Sequence, residues 1–245
     1  VQVKNPKALG YERKLIEDED GNLMLLIHQH EFLTWSPSKK EFSAAYNFIP
    51  IPDNWPFIDL VQQPGTKKYW IGRRDGLAVY NRDTGKMSYW GHNLEKEAVI
   101  DKWGNIGSPN YFHFDAKGRF WFDAWLGAPN IFVFDMVKKQ PVLENYDLTS
   151  VVDGYHETRG FLERKEGTIW VKGLNVFALY LEKEKRFQPV YNGYQNEQSI
   201  EYDRVNWLYE DRDENIWVAT NNNGLYFFNP SEQFFTNIRH INRGN

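Results

Sequence analysis

EDRDENIWVATNNNGLYFFNP, residues 210–230, contains a charged turn, a strand centred on Trp217, an Asn-rich turn and a second strand that ends at Pro230. The same arrangement occurs five times along the chain. In the other four copies the position of Trp217 is occupied by Met24, Trp70, Trp121 and Trp170. We call these five positions the anchors, and their successive spacings are 46, 51, 49 and 47 residues. The chain is therefore an internal repeat, which restricts the folds it can adopt.

The residue types within each repeat favour strands over helices. Trp, Tyr, Phe, Val and Ile concentrate in short runs, and Gly, Asn, Asp or Pro lies between the runs. Each repeat contains about four such runs, and four-stranded units that recur every ~40–50 residues are typical of a β-propeller. We predict an all-β propeller with five blades at about 11–46, 57–91, 109–147, 158–193 and 204–241, together forming one region over residues 1–245.

Two local features have structural interpretations. The anchor Trp side chains are predicted to fill the space between neighbouring blades, because aromatic residues repeated at one position are normally core. The segment LEKEAVIDKW, residues 94–103, carries good helix formers and is predicted to make one or two helical turns on a connecting loop.

Composition narrows the functional classes. The net charge of −4 provides no basic field for nucleic acid, so no nucleic-acid partner is predicted. The sequence contains no run of ~18 apolar residues that would predict a membrane span. Its first residues, VQVKNPKALG, lack the apolar stretch of a signal peptide. We therefore expect membrane attachment only through segments outside this chain. The absence of cysteine excludes disulfides and thiol chemistry.

The repeat phrase resembles that of the two-component-regulator propellers. Their consensus combines an acidic turn, Trp, Thr and a Gly-Leu step followed by an aromatic residue and Asn-Pro. The fifth repeat matches it at ten positions: Asp211, Asp213, Ile216, Trp217, Thr220, Gly224, Leu225, Tyr226, Asn229 and Pro230. The second repeat keeps Trp70-Ile71-Gly72 and Asp75-Gly76-Leu77, whereas the third and fourth lack the Gly-Leu step.

The resemblance implies the extracytoplasmic sensor region of a bacterial hybrid two-component or histidine kinase protein, on the periplasmic or extracellular face of the inner membrane. It implies an oligosaccharide or other small polar ligand, no catalysis in this region and any kinase outside it. Family members tend to have seven blades, so the five repeats either close as a ring or belong to a larger propeller. A homodimer and a protein-interaction scaffold remain open alternatives.

An enzymatic alternative comes from a weaker resemblance of the third repeat to streptogramin-lyase-type propellers. Such enzymes use a metal and histidines, and a glycoside-active propeller would use paired carboxylates such as Asp59 and Asp123. His28 and His30 share one strand face, but the pair by itself does not complete a set of metal ligands. We therefore predict no catalytic residue, no metal site and no cofactor.

The repeat register predicts where a ligand would bind. The residue eleven positions before each anchor is polar, and the residue nine positions before each anchor is apolar. This is expected where a solvated channel mouth lies above a packed interior. These polar residues form the predicted mouth of the propeller: Arg13, Asp59, Asn110, Arg159 and Asn206. The mouth would be locally cationic and favour an anionic or hydroxyl-rich ligand, unless Asp59 pairs internally with Arg13 or Arg159.

Loops on the same face supply further candidates. Trp beside Asn, Asp and Arg is the combination that sugar recognition uses, with a ring for the apolar side of a pyranose and planar polar groups for its hydroxyls. The loop candidates are Trp55, Arg73, Arg74, Trp103, Trp125 and His156. At least one of the three Trp side chains is expected to face a cleft.

Overall fold

The computed structural model describes residues 2–3, 12–27, 31–152, 154–190, 204–230 and 234–238. Within these ranges almost all regular structure is β. The described part contains one short α-helix, α1 (Ala98–Trp103), inside the segment for which helical turns are predicted. It also contains two turns of 3-10 helix, Ala44–Tyr46 and Leu148–Ser150.

The strands form five sheets, in each of which four strands that follow one another along the chain are also neighbours in space. The first sheet contains β2 (Glu12–Glu17), β3 (Leu23–Ile27), β4 (Glu31–Ser36) and β5 (Glu41–Ser43), and β1 (Gln2–Val3) adds to it parallel to β5. The second contains β6 (Phe57–Gln62), β7 (Lys68–Arg73), β8 (Gly76–Asn81) and β9 (Lys86–Tyr89).

The third sheet contains β10 (Asn110–Phe114), β11 (Arg119–Trp125), β12 (Pro129–Asp135) and β13 (Gln140–Tyr146). The fourth contains β14 (Glu157–Glu163), β15 (Ile169–Leu174), β16 (Val176–Leu181) and β17 (Arg186–Pro189). The fifth contains β18 (Val205–Glu210), β19 (Ile216–Thr220), β20 (Leu225–Asn229) and β21 (Phe234–Ile238). Repeated four-stranded meanders are β-propeller blades, so the predicted fold class is confirmed.

Contacts between Cα atoms divide the chain into two compact units. The first comprises Val1–Phe114, Gly118–Leu126 and Phe132–Val142, and the second comprises Asp115–Lys117, Gly127–Ile131 and Leu143–Asn245. The first unit contains the first and second sheets and α1, and the second unit contains the fourth and fifth sheets.

The core of the first unit is aromatic. Trp70 is fully buried and contacts Phe120 at a centroid distance of 5.2 Å, while Met24 and Tyr69 belong to a neighbouring cluster under the first two sheets. In the second unit, Trp170 packs with residues of the fourth and fifth sheets. The anchors Met24, Trp70, Trp121 and Trp170 are buried, as predicted for repeated core aromatics. The fifth anchor, Trp217, is only partly buried, and its indole Nε1 donates to Asp211 Oδ2 at 2.9 Å, so the prediction is wrong for this repeat.

Every first strand of a sheet contains one extra residue near its start. In β14, for example, Thr158 pairs with Gly173 and Phe161 with Val171, so three steps on one strand match two on the other. The same shift occurs in β2, β6, β10 and β18. A β-bulge redirects the side chains next to it, which makes the start of each first strand a natural place for special contacts.

Candidate functional site

A charged and aromatic cluster lies at the start of β14 in the second unit. Glu157 accepts hydrogen bonds from the Tyr155 hydroxyl and from Arg159 Nη2, both at 2.6 Å. Burial alone would raise the pKa of Glu157, but these two hydrogen bonds and the nearby cations outweigh it and lower that pKa. Glu157 is therefore ionised at neutral pH and holds Tyr155 and Arg159 in place.

Lys172 connects this cluster to the fifth sheet. Its side chain rises from β15 and is only 8% exposed, and its Nζ donates to the Arg159 carbonyl at 3.1 Å and to the Asn206 carbonyl at 2.6 Å. The same ammonium lies 5.3 Å from the centre of the Trp207 ring, which is 61% exposed. Lys172 thus fixes the bulged starts of β14 and β18 and supports an exposed aromatic surface.

We call Tyr155, Glu157, Arg159, Lys172 and Trp207 the Lys172 cluster. It combines two exposed rings with ionised groups whose positions are set by hydrogen bonds. Such a surface can stack against the apolar face of a ligand while donating to its oxygens. Across the described part of the chain, no group of three or more His, Asp or Glu side chains could hold a metal ion.

Asp59 takes part in internal contacts. It is 1% exposed, and its carboxylate accepts from the backbone amides of Leu60 and of Phe112 on the neighbouring first strand β10, both at 2.9 Å. Lys14 Nζ lies 3.7 Å from the same carboxylate. Lys14 is therefore an internal partner of Asp59 that the sequence did not suggest, and Asp59 connects three first strands.

The pairing of β6 with β7 shows that Asp59 is not equivalent to the other residues that lie eleven positions before an anchor. Val61 pairs with the anchor Trp70 nine residues later, whereas Leu162 pairs with Trp170 eight residues later. The hairpin after β6 is thus one residue longer than its counterparts, and Ile58 occupies the slot assigned to Asp59.

The other predicted mouth residues differ in role. Arg159 forms an ion pair with Glu157. Asn206 is exposed, and its own backbone carbonyl accepts the hydrogen bond from Lys172. Asn110 accepts a hydrogen bond from the amide of Tyr111 and pairs with Asp123 on β11. The side chain of Arg13 lies outside the described residues, as do His28 and His30.

The loop candidates separate by burial. Trp103 is 6% exposed and packs edge-on against Phe132 at a centroid distance of 5.2 Å, so it is a core residue and its assignment to the ligand face is corrected. His156 is 3% exposed, with Nε2 lying 3.6 Å from Asp147 Oδ1, and its assignment is corrected in the same way. Trp125, at the end of β11, is 44% exposed.

Arg73 and Trp55 meet in the first unit. The Arg73 guanidinium carbon lies 4.0 Å from the centre of the Trp55 ring, and Arg73 itself is 8% exposed. Arg74, the next residue, is exposed, and its backbone amide donates to the Pro56 carbonyl. The structure therefore brings together two of the predicted loop candidates.

Sequence reasoning missed Lys172 and Tyr155 and left Trp207 without a role. A signal for Lys172 was present, because a lysine in the otherwise apolar run TIWVKG is unusual for a buried strand. The exposure of Trp207 follows from the bulge between Val205 and Trp207, which the amino-acid pattern does not show.

A cavity of about 580 Å³ lies at the opposite end of the fourth sheet, beside the hairpin 164–168. The guanidinium of Arg164 lines it but is already paired with Glu166 and, at 3.1 Å, with Glu210. Lys117, the other cation in the described lining, is paired with Glu182 at 3.0 Å, so both described cations of the cavity already have acidic partners.

The sheets define a β-propeller protein, and the Lys172 cluster gives its second unit a polar and aromatic surface. Residues 199–222 match the family model described as two component regulator propeller, which confirms the resemblance noted for this repeat. No curated protein sequence matches the chain significantly.

Three solved structures from B. thetaiotaomicron share the fold. The extracellular domain of the putative hybrid two component system BT3049 is similar over 94% of this chain, with a TM-score of 0.63 and 18% identity. Two structures of the extracellular domain of BT4673, described once as a putative hybrid two component system and once as a putative one component system, match 97% and 96% of the chain. Their TM-scores are 0.69 and 0.62, and their identities 13% and 17%.

The chain covers only 30%, 29% and 32% of the lengths of these three structures. Among the described residues, no helix has the length and hydropathy needed to cross a bilayer.

Proposed function

We propose that this chain is the ligand-binding, extracytoplasmic sensor region of a bacterial two-component signalling protein, and that its ligand is an oligosaccharide or a similarly polar molecule. The regulator-type repeat and the similar structures, each described as an extracellular domain, support the sensor role. Any kinase or membrane anchor would belong to other segments of the protein.

The Lys172 cluster is the observation that carries the proposal. Exposed Trp207 and Tyr155 lie on a framework that Lys172 and Glu157 hold by hydrogen bonds. Rings held in one orientation lose little entropy when a sugar stacks on them, and Arg159 and Asn206 lie beside them to contact hydroxyls. We infer that recognition takes place here without turnover.

The test is a binding screen of the purified chain against a library of neutral and acidic oligosaccharides. Thermal shift identifies ligands, since a ligand at ~100 times its dissociation constant stabilises the protein by ~2.7 kcal/mol. Calorimetry then gives affinities. Trp207→Ala is expected to weaken binding by about ten- to a hundredfold, because it removes the stacking ring.

Trp90→Ala is the matched control. Trp90 is also exposed, at 51%, but follows β9 in the first unit and lies outside the Lys172 cluster. Equal loss of affinity in both variants would contradict the proposal. Release of product from a glycan, abolished by Asp59→Asn or His156→Ala, would instead establish an enzyme. A stable protein complex without any glycan affinity would establish a scaffold.

A further inference from the structure

Arg73 is a buried arginine at the end of β7. Its guanidinium carbon lies over the Trp55 ring, 4.0 Å from the ring centre, and 5.7 Å from the centre of the Tyr89 ring. Trp55 and Tyr89 contact each other edge-on at 5.1 Å, and both pack against the core cluster of the first two sheets. The His92 ring also contacts Tyr89, at a centroid distance of 5.0 Å. The guanidinium therefore rests on a platform that the core holds rigid.

The guanidinium of Arg73 has hydrogen-bonding capacity that the described residues do not use. No side chain or carbonyl of the described residues accepts a hydrogen bond from its guanidinium, and its Nε is buried without a partner. Asp75, two residues along the chain, is exposed and forms no ion pair with it. A guanidinium has five N–H donors, so the edge of this group can receive an acceptor from outside.

Arg82 in the same unit shows the ordinary arrangement. Its guanidinium carbon also lies over an aromatic ring, 4.4 Å from the centre of Phe48. Its Nη1, however, donates to Asp20 Oδ2 at 3.3 Å, and the side chain is 40% exposed. Arg73 is thus more buried than Arg82, and yet no carboxylate in the described part of the chain pairs with it as Asp20 pairs with Arg82.

Burial of a cation without a partner is unfavourable. It lowers the pKa of Arg73, an effect that Asp75 and Tyr89 oppose. Proteins keep buried charges when these are paired or bind an ion. Stacking on Trp55 occupies one face of the guanidinium, so a partner must approach the edge, where a planar carboxylate accepts two parallel hydrogen bonds.

We propose that Arg73, Trp55 and Tyr89 form a binding site for the carboxylate of an acidic ligand, such as a uronic acid. The carboxylate would lie in the plane of the guanidinium, and the ligand body would contact the exposed parts of Trp55 and Tyr89. The site lies wholly within the first unit and does not depend on the Lys172 cluster or on the sensor role.

The experiment measures binding of sodium glucuronate, with glucose as the neutral counterpart, at constant ionic strength. Two-dimensional NMR of the tryptophan Nε1–H signals follows Trp55, assigned with Trp55→Phe. Saturable shifts of the Trp55 signal are expected with glucuronate and none with glucose. Arg73→Met should weaken binding at least about tenfold, as expected for loss of a charged hydrogen-bond pair, and Arg73→Lys should weaken it less.

Arg82→Met is the matched control, since it removes the same charge from a ring-stacked arginine that already has a partner. It should leave glucuronate affinity within about twofold of the original protein. Unchanged binding in Arg73→Met and Arg73→Lys, or equal loss in Arg82→Met, would overturn the proposal. Tighter saturable binding of sulfate than of glucuronate would overturn the carboxylate assignment.

Melting temperature separates binding from structure. Without ligand, Arg73→Met should melt no lower than the original protein, because a well-packed apolar side chain replaces an unpaired buried charge. A clear fall in melting temperature of both Arg73 variants, with glucuronate affinity intact, would assign Arg73 to structure.

Discussion

Tyr69 of the second sheet donates its phenolic hydrogen to Asp18 in the hairpin of the first sheet, at 2.7 Å. Tyr69 is fully buried, and Asp18 also accepts from the backbone amides of Asp20 and Asn22. The bond therefore joins a turn of one blade to the core of the next.

Tyr69→Phe is expected to lower the free energy of unfolding at pH 7 by about 1.5–3 kcal/mol, the range for a hydrogen bond to a charged group. Urea unfolding measures the change. Tyr209→Phe is the control, because Tyr209 is 55% exposed, and it should change stability by less than ~0.5 kcal/mol. Equal stability of Tyr69→Phe and the original protein would show that the bond contributes nothing.

The same pair predicts a pH dependence. Burial would raise the pKa of Asp18, but its hydrogen bonds to Asn22, Tyr69 and Asp20 outweigh burial and lower that pKa below its ordinary 3.8. A carboxyl group whose pKa is lower in the folded state stabilises the fold above its unfolded pKa and loses that effect as the pH falls through its folded pKa. The difference between Tyr69→Phe and the original protein should therefore shrink below about pH 4. A constant difference down to pH 2 would contradict this.

Gly173→Ala is expected to destabilise the fourth sheet. A Cβ at Gly173 would lie 1.8 Å from the Glu157 carbonyl oxygen and 3.0 Å from the Arg159 amide nitrogen, so β14 must move. The cost should be about 1–3 kcal/mol or more, measured by thermal unfolding. Gly107→Ala is the control, since its Cβ would meet only the Trp125 carbonyl, at 3.4 Å. Equal melting of the two variants would contradict the close approach of β14 and β15.

Lys172→Met should reduce stability by about 2 kcal/mol, because the carbonyls of Arg159 and Asn206 lose a charged donor in a buried position. Differential scanning calorimetry measures the change, and NMR of the Trp207 indole reports whether its environment changes as well. Lys183→Met removes an exposed lysine from the turn after β16 and should be neutral. Neutral behaviour of both variants would mean that Lys172 does not hold β14 to β18.

Trp103→Ala should destabilise the protein much more than Trp125→Ala, because only the Trp103 ring is buried. Removal of the buried Trp103 ring is expected to cost about 3–5 kcal/mol, because it leaves a cavity among the Phe side chains of the first unit. Removal of the half-exposed Trp125 ring should cost much less. Chemical denaturation distinguishes them, and equal losses would show that exposure does not predict the role of these rings.

The amino-acid pattern predicted the repeated elements well. The anchors, the four-strand repeat and the short helix that ends at Trp103 all follow from interactions between residues close in sequence, where alternation and turn chemistry act. The buried state of Trp70, Trp121 and Trp170 follows from the same repetition, because one position in every blade faces its neighbour.

Contacts between elements that lie far apart in the sequence could be identified only from the tertiary structure. One additional residue in the hairpin after β6 puts Ile58 in place of Asp59, and a slip of one residue changes which side chain occupies the equivalent position of each blade. The support of Trp207 by Lys172 depends on a bulge, and the contact between Arg73 and Trp55 depends on a loop that packs against a strand end. Composition and spacing reflect the local conformational preferences of the chain. These side-chain contacts depend instead on strand register and on packing between segments far apart in sequence, for which the amino-acid sequence contains no recognisable pattern.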